Sequence, residues 1–138
     1  AEQSLFNDRL LQYQYAYETL MQKPFFGFGL DKYAFINTEL TTQDLHGAHN
    51  GYLAILVQYG LLFGFLVLGV IFRESFLSFN RINLREPENR FYIYIVAYTL
   101  VAAVYETLIT GVNEFHTFLF WLALTFLSYS RFRRENAI

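Results

Sequence analysis

Residues 51–72 read GYLAILVQYGLLFGFLVLGVIF, 22 residues without a charge. A helix that crosses a bilayer needs about 20 predominantly apolar residues. A core helix of a water-soluble domain is seldom that long and apolar on every side. This run therefore predicts a spanning helix over about 51–72. Two further runs follow the same logic. Phe91 to Tyr105 is uncharged, and its apolar character continues past Glu106, which predicts a second span over about 91–112. Phe115 to Ser130 gives a third over about 115–130, 16 residues that are short for a bilayer and borrow flanking residues. The expected fold class is an all-α membrane protein, with an outward amphipathic helix and loop (residues 1–50) followed by about three transmembrane helices (residues 51–138).

Composition agrees. Only 16% of the 138 residues are charged, against about 25% in soluble domains. Hydrophobic residues make up 54%, which excludes a disordered chain. A net charge of −2 argues against nucleic acid as a partner. No cysteine is present, so thiolate metal sites and disulfides are excluded. The chain starts without Met and without a basic, apolar leader, which predicts a piece of a longer membrane protein.

Arginine placement predicts orientation. The 73–90 loop holds Arg73, Arg81, Arg85 and Arg90, and the tail holds Arg131, Arg133 and Arg134. Residues 110–114 hold no Lys or Arg. By the positive-inside rule the loop and the C-terminus face the cytoplasm, and residues 1–50 face outward. The outward segment opens with a helix over 4–22, where apolar residues recur at three- and four-residue spacing and Pro24 ends the pattern.

Polar groups gather toward the outer ends of these spans. His46 and His49 precede the first, Glu114 and His116 open the third, and Glu106 falls inside the second, about two turns from its outer end. Arg9 lies on the amphipathic helix. Each has a bland reading. An imidazole titrating near neutrality can take a proton from an attacking hydroxyl, but a His beside a helix start is as readily a cap. His46 and His49 with Glu114 would form a metal shell, yet one HxxH pair lacks the His-Glu-x-x-His arrangement. An acid within an apolar run suggests function, or a Glu that reaches the interface. A guanidinium suits phosphate, or a solvated face beside Asp8. Gly27-Phe28-Gly29 has the spacing of a phosphate-cradling turn, or of a sharp turn packed by Phe25, Phe26 and Phe28. Gly60 and Gly64 form a GxxxG that allows close helix contact.

Taken in order, these pieces form a set. Arg9-x-x-x-Tyr13, Pro24-Phe25-Phe26-Gly27-Phe28-Gly29-Leu30, His49-Asn50-Gly51-Tyr52-Leu53 and Gln58-Tyr59-Gly60-Leu61-Leu62 follow one another. The set resembles the O-antigen ligase / O-antigen polymerase family, bacterial polytopic membrane proteins with a large outward loop before their last spans. The resemblance covers residues 5 to about 72. It departs at Tyr13, where the family often has Trp, at Phe63, which interrupts a Gly-Leu-Leu-Gly run, and in length, since family members carry about ten or more spans.

The resemblance implies a multi-pass protein of the bacterial inner membrane. Its reaction moves a glycan from an undecaprenyl-diphosphate carrier to an acceptor hydroxyl on lipid, sugar or protein, without a cofactor or a metal. His49 is the catalytic residue it implies, and Arg9 the group that binds the lipid diphosphate. His46, Asn50, Glu106, Glu114 and His116 are the remaining candidates for substrate binding. The expected partners are that glycan donor, the acceptor, membrane lipid and upstream transmembrane helices, without which this stretch is expected to be inactive. The rival expectations are a non-catalytic three-span subunit that binds partner helices, and a metal-dependent membrane hydrolase.

Overall fold

The computed structural model describes residues 2–29, 49–110 and 114–136, with side chains from Leu10 onward. Its elements are α1 (Glu2–Gln22), α2 (Gly51–Arg81), α3 (Pro87–Ala102) and α4 (Phe115–Glu135), with no strand among the described residues. The chain is an all-α membrane protein, and α2 is the described helix long and apolar enough to cross a bilayer. In its most apolar 18-residue window only 33% is buried, whereas a soluble core helix would be mostly buried. Leu62, Phe65, Leu66, Val70 and Phe76 all stand exposed along it.

The expected span over 51–72 is not one straight rod. Gly60 has φ 71° and ψ 177°, and α2 bends sharply there. In a straight helix Tyr52 and Phe72 would lie about 30 Å apart, at ~1.5 Å per residue. Their rings are stacked with centroids 5.7 Å apart. A Cβ on Gly64 would stand 2.9 Å from Leu56 Cδ2, so the halves of α2 pack on each other. The GxxxG spacing thus serves the chain itself: Gly60 makes the bend and Gly64 admits Leu56. The straight second half, Leu61 to Arg81, is about 31 Å long.

A bend leaves backbone groups without helical partners, and apolar surroundings make such orphans costly. The turn after α1 supplies the partners. The Leu61 N–H, which would reach the Val57 carbonyl in an unbroken helix, donates instead to the Pro24 carbonyl at 2.6 Å. The Val57 carbonyl accepts from Phe28 N–H at 3.0 Å, and the Gln58 carbonyl from Gly29 N–H at 2.7 Å. Backbone approaches backbone so closely that a Cβ on Gly27 would lie 2.4 Å from Gly60 N. Ala16 and Leu20 of α1 extend the contact by burying against Val57.

The second expected span, 91–112, becomes the shorter α3, which begins at Pro87 and ends at Ala102. Residues 103–110 form irregular turns, and Glu106 lies there rather than inside a helix. The apolar pattern continues through this segment, but tertiary donors capture its carbonyls. Gly51 N–H donates to the carbonyls of Ala103 and Glu106, Thr117 Oγ1 to that of Leu108, and Trp121 Nε1 to that of Ile109. The third run becomes α4, five residues longer at its C-terminal end than the expected 115–130.

The arginine-rich ends of α2 and α4 meet. Glu74 pairs with Arg131 and accepts from Ser128, Arg81 pairs with Glu135 at 2.8 Å, and Glu86 of the α2–α3 connection pairs with Arg134 at 2.8 Å. Between the ends, Ile55, Leu68, Ile71, Val96, Phe120 and Leu127 form the main core.

Two predictions follow from this packing. Gly60→Ala and Gly27→Ala each force a Cβ into backbone, whereas Gly29→Ala meets nothing within 4 Å and carries only its φ penalty of about 1–2 kcal/mol. Thermal unfolding in detergent should show a modest drop for Gly29→Ala and loss of a cooperative transition for the other two. The reverse order would refute the clamp. Glu74→Ala strands Arg131, whose side chain is only 13% exposed, and should cost about 3–5 kcal/mol. Glu135→Ala breaks an exposed pair and should cost less than about 1 kcal/mol in the same assay.

Candidate functional site

The site grows from the start of α2. Asn50 has the extended backbone of an N-cap, and its Oδ1 accepts from Tyr52 N–H and Leu53 N–H, both at 3.0 Å. Its Nδ2 donates to the Val104 carbonyl at 3.0 Å. One side chain thus starts the helix and ties it to the end of α3. Tyr52 OH reinforces the tie by donating to the Leu100 carbonyl at 2.5 Å. Tyr13 of α1 reaches the same Val104 carbonyl at 3.4 Å. α1 and the start of α2 therefore converge on one short stretch at the end of α3, residues 100–106.

His49 sits directly before this cap with φ 38°, the one positive φ among the described non-glycine residues. Left-handed backbone is unfavourable for a side chain with a Cβ, so the surrounding contacts hold it there. The result aims the imidazole at Glu106, with Nδ1 3.4 Å from Oε2. The side chains are 46% and 54% exposed. An exposed pair of this kind contributes at most about 1 kcal/mol to stability. Its consequence is orientation: with the proton on Nδ1 donated to the carboxylate, Nε2 carries a lone pair toward the open side.

The structure brings together three of the seven expected site residues: His49, Asn50 and Glu106. Asn50 acts as cap and tether, with both ends of its amide occupied by backbone. Glu114 and His116 open α4, both exposed, and among the described residues no side-chain hydrogen bond or ion pair joins either to the His49–Glu106 pair. His116 makes an edge contact with the Phe115 ring. Arg9 lies in α1 one helical turn before Tyr13. The Arg9 side chain and His46 lie outside the described residues. Among the described residues no three His, Asp or Glu side chains cluster as a metal shell would require.

Tyr13 and Tyr52 emerge as positioning groups. Both stand in the quoted motifs, but their acceptors are carbonyls freed by the end of α3, which no side-chain pattern announces. A cavity of about 290 Å³ lies inside the bend of α2, lined by residues including Gln58, Tyr59, Thr110 and Trp121.

Asn50→Ala removes both cap and tether and should lower stability by about 1–2 kcal/mol. Asn50→Asp keeps the cap and loses only the donor to Val104, so its loss should be smaller. Denaturation of the two variants side by side checks this order.

The O-antigen ligase family model matches residues 1–69, half of the 138-residue chain. That stretch holds α1, the Pro24–Gly29 turn, His49, Asn50 and the bend at Gly60. No curated protein and no solved structure matches the chain.

Proposed function

The chain belongs to the O-antigen ligase family of membrane glycosyltransferases, and on that premise we propose that His49 is its general base in glycan transfer. The donor is a glycan on an undecaprenyl-diphosphate carrier, and the acceptor is a hydroxyl on lipid, sugar or protein. His49 Nε2 takes the hydroxyl proton. The acceptor oxygen bonds to the anomeric carbon of the donor sugar as the bond from that carbon to the diphosphate oxygen breaks. The carrier diphosphate leaves with the electron pair.

The observation that carries this reading is the His49–Glu106 pair, set beside a helix start that Asn50 fixes. Glu106 is a positioning residue: it holds the Nδ1 proton and steadies the imidazolium that forms. To Arg9, one turn before Tyr13 in α1, the same reading assigns neutralisation of the leaving diphosphate. Glu114, His116 and His46 belong to the approach of the substrates rather than to the proton transfer.

The same reading gives the orientation. The paired arginines at the far ends of α2 and α4 favour a cytoplasmic face there, which puts His49 on the outer side of the bacterial inner membrane. Lipid-linked glycan is the donor class for that side, and no nucleotide sugar enters the scheme.

His49→Ala in cells that depend on the full-length protein should reduce transfer by at least about 10²-fold, the lower range for general-base catalysis. Glu106→Gln should reduce it less, because the imidazole remains. A glycan gel reads both. Long lipid-linked chains that accumulate unattached identify a ligase, and a ladder collapsed to single units identifies a polymerase. Normal transfer by a well-expressed His49→Ala variant would overturn the proposal.

A further inference from the structure

The turn that clamps the bend also carries two phenylalanines in the open. Phe25 is 66% exposed and Phe26 70%. They do not sit on a loose loop. The Pro24 carbonyl just before them is bonded to Leu61 N–H, and Gly27 just after them packs against the Gly60 backbone. The fold therefore holds these rings outward at a fixed height beside the tip of the α2 hairpin.

Their neighbours identify what they meet. The Phe26 ring lies 6.1 Å from the Phe63 ring, three residues past the bend. Phe63 stands exposed with Leu62, Phe65 and Leu66 on the helix that is apolar enough to cross the membrane. The phenylalanines thus continue the exposed face of that span beyond its end. Lys23 flanks them, its ammonium 4.6 Å from the Phe28 ring centroid, as a cation does beside an aromatic belt at a bilayer boundary.

We propose that Phe25 and Phe26 form a wedge that inserts among the acyl chains of the leaflet on the His49 side, so that the ligand of this surface is bilayer lipid. The wedge pins the tip of the hairpin at the boundary between acyl chains and headgroups. Because Tyr52 folds back onto Phe72, the first half of α2 runs from the tip toward the bilayer. The inference goes beyond glycan transfer and rests on α2 as the span.

The chain has no cysteine, so a nitroxide on Phe26→Cys reports this position. The full chain is placed in nanodiscs of phosphatidylethanolamine and phosphatidylglycerol, and collisions with oxygen are compared with those of a water-soluble nickel chelate. Labels at Leu66→Cys and Gln14→Cys mark lipid and water. The Phe26 label should favour oxygen, at a shallower depth than Leu66. Nickel access equal to that at Gln14 would overturn the wedge, as would shielding from both reagents, which would mean that protein covers the turn. A Leu66 label that reads aqueous overturns the wedge together with the span, while the transfer reading is judged separately by His49→Ala.

Discussion

Three backbone hydrogen bonds run between the Pro24–Gly29 turn and the bend of α2, and the rest of the arrangement depends on them. A long apolar helix has no reason to break in an apolar setting, because every broken bond strands a donor or an acceptor. Here the Leu61 N–H and the carbonyls of Val57 and Gln58 each find a new partner in the turn. The bend is therefore a junction of two segments rather than a local defect. It exists only where Gly27 and Gly60 let two main chains touch.

The junction sets where the candidate site sits. Folding the first half of α2 back on the second carries its N-terminus to the end of α3. There the carbonyls from Leu100 to Glu106, released where α3 stops, become acceptors for Tyr13, Asn50, Gly51 and Tyr52. Helix ends usually satisfy such carbonyls with water or a following glycine. Using them as tertiary anchors instead positions the residue just before α2. His49 inherits a backbone conformation it would not choose, and with it a direction toward Glu106.

Much of this was legible in the residues, but unevenly. The apolar runs at 51–72 and 115–130 located helices, because length and hydropathy are enough for that. They did not reveal the bend, since Gly60 followed by Gly64 reads as a surface for another helix, and only the distant Pro24–Gly29 turn decides otherwise. The second expected span runs ten residues past the C-terminal end of α3 for a related reason. Val104, Leu108 and Ile109 keep the apolar pattern, while the donors that dissolve the helix come from Asn50, Thr117 and Trp121. Glu106 stood out as an acid in an apolar stretch, yet its pairing with His49 required the fold. The ordered motifs pointed to the family before any geometry was known. Two of them meet each other, through Pro24–Gly29 and Gln58–Leu61, and their glycines fit backbone contact better than phosphate binding.

The two ends of the bundle divide the work by different means. At the arginine-rich end, side-chain charges hold the helices, with Glu74 and Arg131 largely out of solvent and the pairs at Glu135 and Glu86 closing the rim. At the His49 end the ties run to backbone carbonyls, and the only described ion pair is the open one between His49 and Glu106. Backbone ties fix position without adding charge. That leaves the imidazole and the carboxylate with little electrostatic competition, and leaves their exposed edges free for a charged ligand. Salt bridges at the His49 end would hold as firmly, but their fixed charges would compete with the proposed diphosphate for the same cations. The separation of a charge-locked end from a carbonyl-anchored one suits the anionic leaving group of the proposed transfer.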